Sequence, residues 1–255
     1  MKNTIYTILM LSMLILFGCH ESDGNESYTI DDLVGTWNML TEETVTTVDG
    51  TALPTENRVA DANNSKQLTI APDGRLYISY VTDGISDSDE GSMTINGKDI
   101  GVILPNTPAI VGTVSFSSNL ATIVTSYSYS IDEHVYEIDI NTVYVKADSY
   151  IETSCIIYYD SEDCTGTEIE EIPLTSHTII TLNADGSALH FTFRDDDVTV
   201  AGGLWEGTAS LLLEDTANLI MITFWNETTT FTVSGNTMTY ELRYDSCVRF
   251  IWTKN

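Results

Sequence analysis

Gln67-Leu68-Thr69-Ile70, Pro72-Asp73-Gly74 and Leu76-Tyr77-Ile78-Ser79-Tyr80 follow one another almost without interruption. The flanking runs alternate polar and apolar residues, the period of a half-buried strand, and Pro-Asp-Gly between them is turn chemistry. The stretch therefore predicts a β-hairpin. Working outward, the same grammar continues. Upstream, Gly35-Thr36-Trp37-Asn38-Met39-Leu40 opens a Thr-rich run to Val48, and Asp49-Gly50 marks a turn. Residues 54–65 are polar and irregular and read as a loop, and 83–90 as an acidic turn. Residues 92–95 and 100–104 flank Asn96-Gly97, a pair suited to a tight turn with positive φ. Three more strands are predicted over 110–116, 120–129 and 135–145.

From Tyr150 the pattern begins again. Residues 151–159 are apolar and β-branched, and 164–171 form a polar connection with some strand character. Residues 178–182 and 189–193 flank Ala184-Asp185-Gly186, repeating the earlier hairpin. Strands over 203–213, 219–225, 229–233, 238–244 and 248–252 follow. Asp73-Gly74 and Asp185-Gly186 are 112 residues apart, and so are Gly91 and Gly203, each opening a strand. A repeat of that length points to duplicated domains rather than to a solenoid. Thr, Val, Ile and Tyr dominate the patterned segments, and helical periodicity is scarce after residue 19. The expected fold is all-β and antiparallel: two tandem eight-stranded barrels over 30–148 and 149–255, with one large β-sandwich as the alternative. Closure into barrels removes the exposed strand edges that a protein without covering helices must otherwise protect.

Leu33-Val34-Gly35-Thr36-Trp37 resembles the opening Gly-x-Trp of lipocalin-like proteins, including many lipoproteins of the Bacteroidetes. The alternating strands and the Asp-Gly hairpin fit that family over residues 30–146 better than over 150–255, where no Gly-x-Trp occurs. The resemblance implies that Trp37 plugs the closed end of the first barrel, with Lys146 as its basic partner.

The N-terminus carries a second resemblance. Lys2 precedes a mostly apolar run over 5–17, too short to span a bilayer but of signal-peptide length. Leu16-Phe17-Gly18-Cys19 ends it and is similar to the lipobox of bacterial lipoproteins. This implies that residues 1–18 are a signal peptide and that Cys19 becomes the lipid attachment site. Several acyl chains on Cys19 would hold firmly where a single chain binds only reversibly. Residues 19–29 then form an acidic tether behind the anchor. The expected location is the outer membrane, on its periplasmic or cell-surface face.

Ten basic against 38 acidic residues give a formal net charge of −28. Such a surface repels phosphate backbones and anionic headgroups, which excludes nucleic acid as a natural partner and leaves the lipid anchor as the membrane contact. If Cys19 is lipidated, Cys155, Cys164 and Cys247 allow one disulfide and one free thiol. In a closed second barrel the first strand pairs antiparallel with the last. The end of the first, near Cys164, then meets the start of the last, near Cys247. That topology favours Cys164–Cys247, with Cys155–Cys164 as the rival if 160–162 turns back sharply.

No catalytic, metal or cofactor motif emerges. His20, His134, His177 and His190 are scattered, and the clusters Asp87-Asp89-Glu90 and Asp195-Asp196-Asp197 lack the rest of a calcium loop. Tyr127, Tyr129, Tyr136, Tyr144, Tyr158 and Tyr159 crowd mid-chain, and tyrosine suits sugar and small-molecule pockets as well as strands. The leading expectation is a non-catalytic protein that binds a small apolar or amphipathic ligand inside a barrel. A surface module for glycan or protein is the alternative, and an enzyme is the reading least supported. A lined cavity of at least about 300 Å³ would favour the carrier, and interiors filled by side chains the surface module.

Overall fold

The computed structural model describes residues 27–255 apart from 106, 162, 168, 184–185, 195–196, 210–217, 225–226, 244–245 and 255. The signal segment, Cys19, His20 and most of the tether lie outside the described residues. So do Asp185, Asp195, Asp196 and parts of the strands expected over 203–213, 219–225 and 238–244.

The chain forms two closed antiparallel eight-stranded barrels and almost no helix. A helical turn, α1 (Ile30–Leu33), precedes the first. Its strands are β1 (Gly35–Val48), β2 (Thr51–Ala52), β3 (Glu56–Val59), β4 (Ser65–Ile70), β5 (Arg75–Thr82) and β6 (Ile85–Asn96). They continue as β7 (Asp99–Ile103), β8 (Ile110–Ser117), β9 (Leu120–Ile131) and β10 (His134–Lys146). β1 pairs with β4 on one side and with β10 on the other, which closes the barrel; β2 and β3 pair with β1 outside the closed circuit. Ala147 alone separates β10 from β11 (Asp148–Tyr158), the first strand of the second barrel. β12 (Ile169–Ile172) is an edge addition. β13 (His177–Leu182), β14 (Ser187–Arg194), β15 (Asp197–Ala209), β16 (Asn218–Phe224), β17 (Glu227–Ser234), β18 (Thr237–Arg243) and β19 (Cys247–Lys254) complete the circuit, and β19 pairs back to β11.

Two stretches differ from the sequence expectation. Residues 85–90, read as a turn, are the first half of β6: only Asp83 and Gly84 turn the chain, both with positive φ. The Ser-Asp alternation disguises a strand because its carboxylates face water or a tyrosine rather than a core. The loop expected over 54–65 contains β3, whose Thr41↔Val59 to Thr44↔Glu56 pairing makes it a strap beside β1.

The two barrels match position by position. Trp37 pairs with Leu68 and Lys146; Tyr150 pairs with Ile180 and Lys254. The β4–β5 and β13–β14 turns repeat the same bonds. Ala71 N–H donates to Arg75 O at 2.9 Å and Asn183 N–H to Ser187 O at 2.9 Å. Gly91 and Gly203 serve the same purpose in β6 and β15. A Cβ would meet Ile103 O at 2.2 Å on the first and Thr223 O at 2.2 Å on the second, so neighbouring backbone approaches both too closely for any side chain.

The barrels share a buried seam. Val34 and Ala71 of the first pack with Ile151, Ile179, Phe191 and Phe193 of the second. At its centre four hydroxyl side chains meet. Thr36 Oγ1 lies 3.1 Å from Thr69 Oγ1 and 2.7 Å from Thr181 Oγ1, while Thr36 N–H donates to Ser149 Oγ at 3.0 Å. All four residues are fully buried. Buried hydroxyls are tolerable because each finds a partner; an unpaired one would cost about 1–3 kcal/mol. Arg75 reinforces the seam, donating to Phe193 O at 2.9 Å and lying over the Phe193 ring.

Candidate functional site

The strands of the first barrel alternate their side chains inward and outward, and the inward set does not fill the space. A cavity of about 490 Å³ remains. Its deep wall is apolar, with Met39, Leu68, Leu76, Met93, Val102 and Ile123. Thr82, Thr107 and Pro108, at the strand ends away from α1, also line it, so the cavity opens at that rim.

The opposite end is closed. Trp37 is buried, and its indole Nε1–H donates to Leu33 O at 2.8 Å. Phe116 lies beside the ring at 5.8 Å between centroids, and Lys146 Nζ stands 5.3 Å from the ring centre. Burial pushes the Lys146 ammonium pKa down, and nearby Asp32 works in the other direction. Tyr28 bridges to Gly97 at the same end.

A charged group sits inside the cavity that sequence reasoning missed. β1 is bulged at Leu40: Met39 pairs with Tyr144 and Thr41 with Val143, leaving Leu40 opposite no residue. A bulge shifts the inward phase by one residue. Trp37 and Met39 point inward before it, and Glu42 and Thr44 after it. Glu42 is only 6% exposed. Its carboxylate is ion-paired to Lys66, lies 3.8 Å from Arg58 Nη1 and accepts from Thr142 Oγ1 at 3.3 Å. Tyr144 and Tyr127 line the same cavity. Burial, and after it the Glu42 charge, raises the Tyr144 phenol pKa; burial, Tyr129 and then Glu42 raise that of Tyr127. From Tyr127 a stack of rings continues outward through Tyr129 to Tyr136, at centroid separations of 6.3 and 5.1 Å. Tyr158 and Tyr159 belong elsewhere, the first under Arg249 and the second bonded to Glu170.

A hollow of about 510 Å³ adjoins the cavity on its flank. Met39, Ser65, Lys66, Tyr80 and Val81 line both, and Asp61 and Asp87 line the hollow alone. It forms where β1, past its bulge, leaves β4 for β3: Ser65 and Lys66 have no partner on β1.

The second barrel carries rings at positions that line the cavity of the first. Positions equivalent by register to Glu42 and Thr142 hold Cys155 and Phe250, and the position of Tyr144 holds Trp252. Phe231, Tyr240, Phe250 and Trp252 contact one another inside. Cys155 is a buried free thiol whose pKa is raised by burial and then by the Glu152 charge. At its far end Arg249 is held by Glu241 at 2.7 Å, by Tyr158 Oη at 3.1 Å and by Cys164 O at 3.3 Å. A disulfide joins Cys164 to Cys247, with Cα atoms 5.2 Å apart.

The described histidines stay apart. His134 is paired with Asp49 at a hairpin tip, His177 lies 3.5 Å from Asp73 at the seam, and His190 packs on Phe224. Asp87 and Asp89 lie on β6 near Tyr80. Burial raises the Glu90 pKa, and Asp197 of the second barrel raises it further.

No protein-family model matches the chain, and no curated protein matches it. Among solved structures it is similar to a protein of unknown function of the DUF3598 family from Nostoc punctiforme. The identity is 10%, over 87% of this chain and 96% of that one, with a TM-score of 0.27. At that score the likeness supports no inference.

Proposed function

We propose that this is a non-catalytic carrier, held to the outer membrane by lipid on Cys19, whose first barrel binds a small amphipathic molecule. The observation that carries the binding is the contrast between two matched barrels. One keeps an apolar cavity of about 490 Å³ with a polar cluster, within the 300–1,000 Å³ usual for small-molecule sites, while the other packs aromatic rings at the equivalent positions. A barrel needing only stability would fill its core, because an empty cavity costs about 24 cal/mol per Å³. The lipocalin-like Gly-x-Trp supports the same reading.

The test uses the full chain with Cys19→Ser, purified without detergent, and the neutral fluorophore N-phenyl-1-naphthylamine. Fluorescence enhancement should saturate with wild-type cavity residues. Val102→Trp, which places an indole in the cavity, should weaken binding at least tenfold while the protein stays folded by circular dichroism. Equal binding by both would sink the assignment of the ligand to this cavity.

The anchor is tested separately. Cys19→Ser should abolish incorporation of labelled palmitate and move the protein from the membrane to the soluble envelope fraction. Equal labelling of the two forms would remove Cys19 as the attachment site.

A further inference from the structure

We propose that the ligand of the first barrel is a cationic amphiphile, an apolar chain or ring system ending in an ammonium group, and that Glu42 receives its charge. The inference rests on the carrier reading and adds the chemical class. It follows from which charges in the cavity can leave and which cannot.

Glu42 is on the inner face of β1, fixed by the bulge at Leu40 and 6% exposed. Its carboxylate does not reach the outer surface of the barrel. Its two cationic partners do. The Lys66 side chain is 26% exposed and sits in the part of β4 that has left β1; that of Arg58, on the strap β3, is 37% exposed and also holds Glu56 at 3.2 Å. The permanent charge of the cavity is therefore negative and its positive charges are movable.

A cationic head can take the place of the Lys66 ammonium on Glu42. Lys66 also lines the flanking hollow, where Asp61 and Asp87 are present to receive it. No buried charge is left unpaired by that exchange. An anionic head would draw Lys66 away from Glu42, leaving the buried carboxylate with only Arg58 at 3.8 Å and a like charge beside it, which moves towards the costly outcome for a buried pair. The rings of Tyr127 and Tyr144 share the cavity with Glu42, and an ammonium is attracted to the face of such rings. The net charge of −28 steers cations towards the protein and anions away.

The experiment displaces N-phenyl-1-naphthylamine from the full Cys19→Ser chain with three twelve-carbon competitors below their micelle concentrations. These are dodecyltrimethylammonium, dodecanol and dodecanoate. The ammonium should compete at least tenfold better than the alcohol, and the carboxylate worst. Glu42→Gln should bring the ammonium to the level of the alcohol. Lys66→Met, which frees Glu42 without touching the core, should strengthen the ammonium severalfold and leave the alcohol unchanged; an ion pair that serves only the fold gives no such gain. Dodecanoate as the best competitor, or weaker ammonium binding by Lys66→Met, would overturn the cationic assignment while the carrier reading stands. Failure of the wild-type cavity to bind the fluorophore would overturn both.

Discussion

Trp37→Ala should destabilise the protein by about 3–5 kcal/mol, the cost of deleting a fully packed aromatic side chain. For a chain of this size that is a fall in melting temperature of roughly 10–15 °C. Three losses combine. The indole is buried at 2% exposure, so its removal leaves a void among Leu33, Phe116 and the Lys146 chain. Leu33 O loses the 2.8 Å hydrogen bond that ties α1 over the barrel end. The Lys146 ammonium, already depressed by burial, loses the ring face beside it. Trp37→Phe separates these terms in part, because it keeps one ring of the indole in place and removes the donor; a loss of about 1–3 kcal/mol is expected from the unpaired carbonyl, plus the smaller void left by the missing ring. Urea denaturation with an unchanged m-value measures both. A loss below 1 kcal/mol for Trp37→Ala would mean that Trp37 does not hold the barrel end closed.

The strands that were legible in the sequence are those with one wet face. The 67–80 hairpin reads correctly because Leu68, Ile70, Leu76 and Ile78 enter the core while a Pro-Asp-Gly turn sets the register. Where polar residues line both faces the period disappears. Thr41-Glu42-Glu43-Thr44 carries no apolar phase, so nothing in it announces the bulge at Leu40 or the inward turn of Glu42. The centre of the candidate site is therefore invisible in the sequence, although Tyr127 and Tyr144 beside it stand out as aromatic. The seam was hidden for the opposite reason. Thr36, Thr69 and Thr181 look like the solvent face of amphipathic strands, yet they are buried because a second barrel covers that face and supplies hydroxyl partners. The register also explains a departure from the Gly-x-Trp pattern: Tyr150 stands where Trp37 does, so the second barrel closes on a different aromatic residue.

Removing the Cys164–Cys247 bridge, by Cys247→Ser or by a reductant, should cost about 4–5 kcal/mol in the chain-entropy account, since the bridge closes a loop with a sequence separation of 83. The geometry behind it is the closure of the second barrel. β11 and β19 pair antiparallel, with Tyr158 opposite Cys247, so the chain leaving β11 begins beside the first residue of β19. Cys164, with φ at 59°, brings its side chain back to that point. Cys155 pairs with Phe250, three positions further along the ladder, or roughly 10 Å away at strand spacing; that exceeds the Cα separation a disulfide tolerates. Arg249 adds to the effect, because its bond to Cys164 O and its double contact with Glu241 order the same loop over the barrel end. The reduced protein should melt at a temperature lower by roughly 10–15 °C. Non-reducing peptide mapping should recover one cross-linked fragment joining Cys164 to Cys247, with Cys155 alkylated only after unfolding because it is buried. A fragment joining Cys155 to Cys164 would contradict this closure. An unchanged melting temperature on reduction would mean that the β11–β19 ladder and the Arg249 contacts hold the end without the bridge.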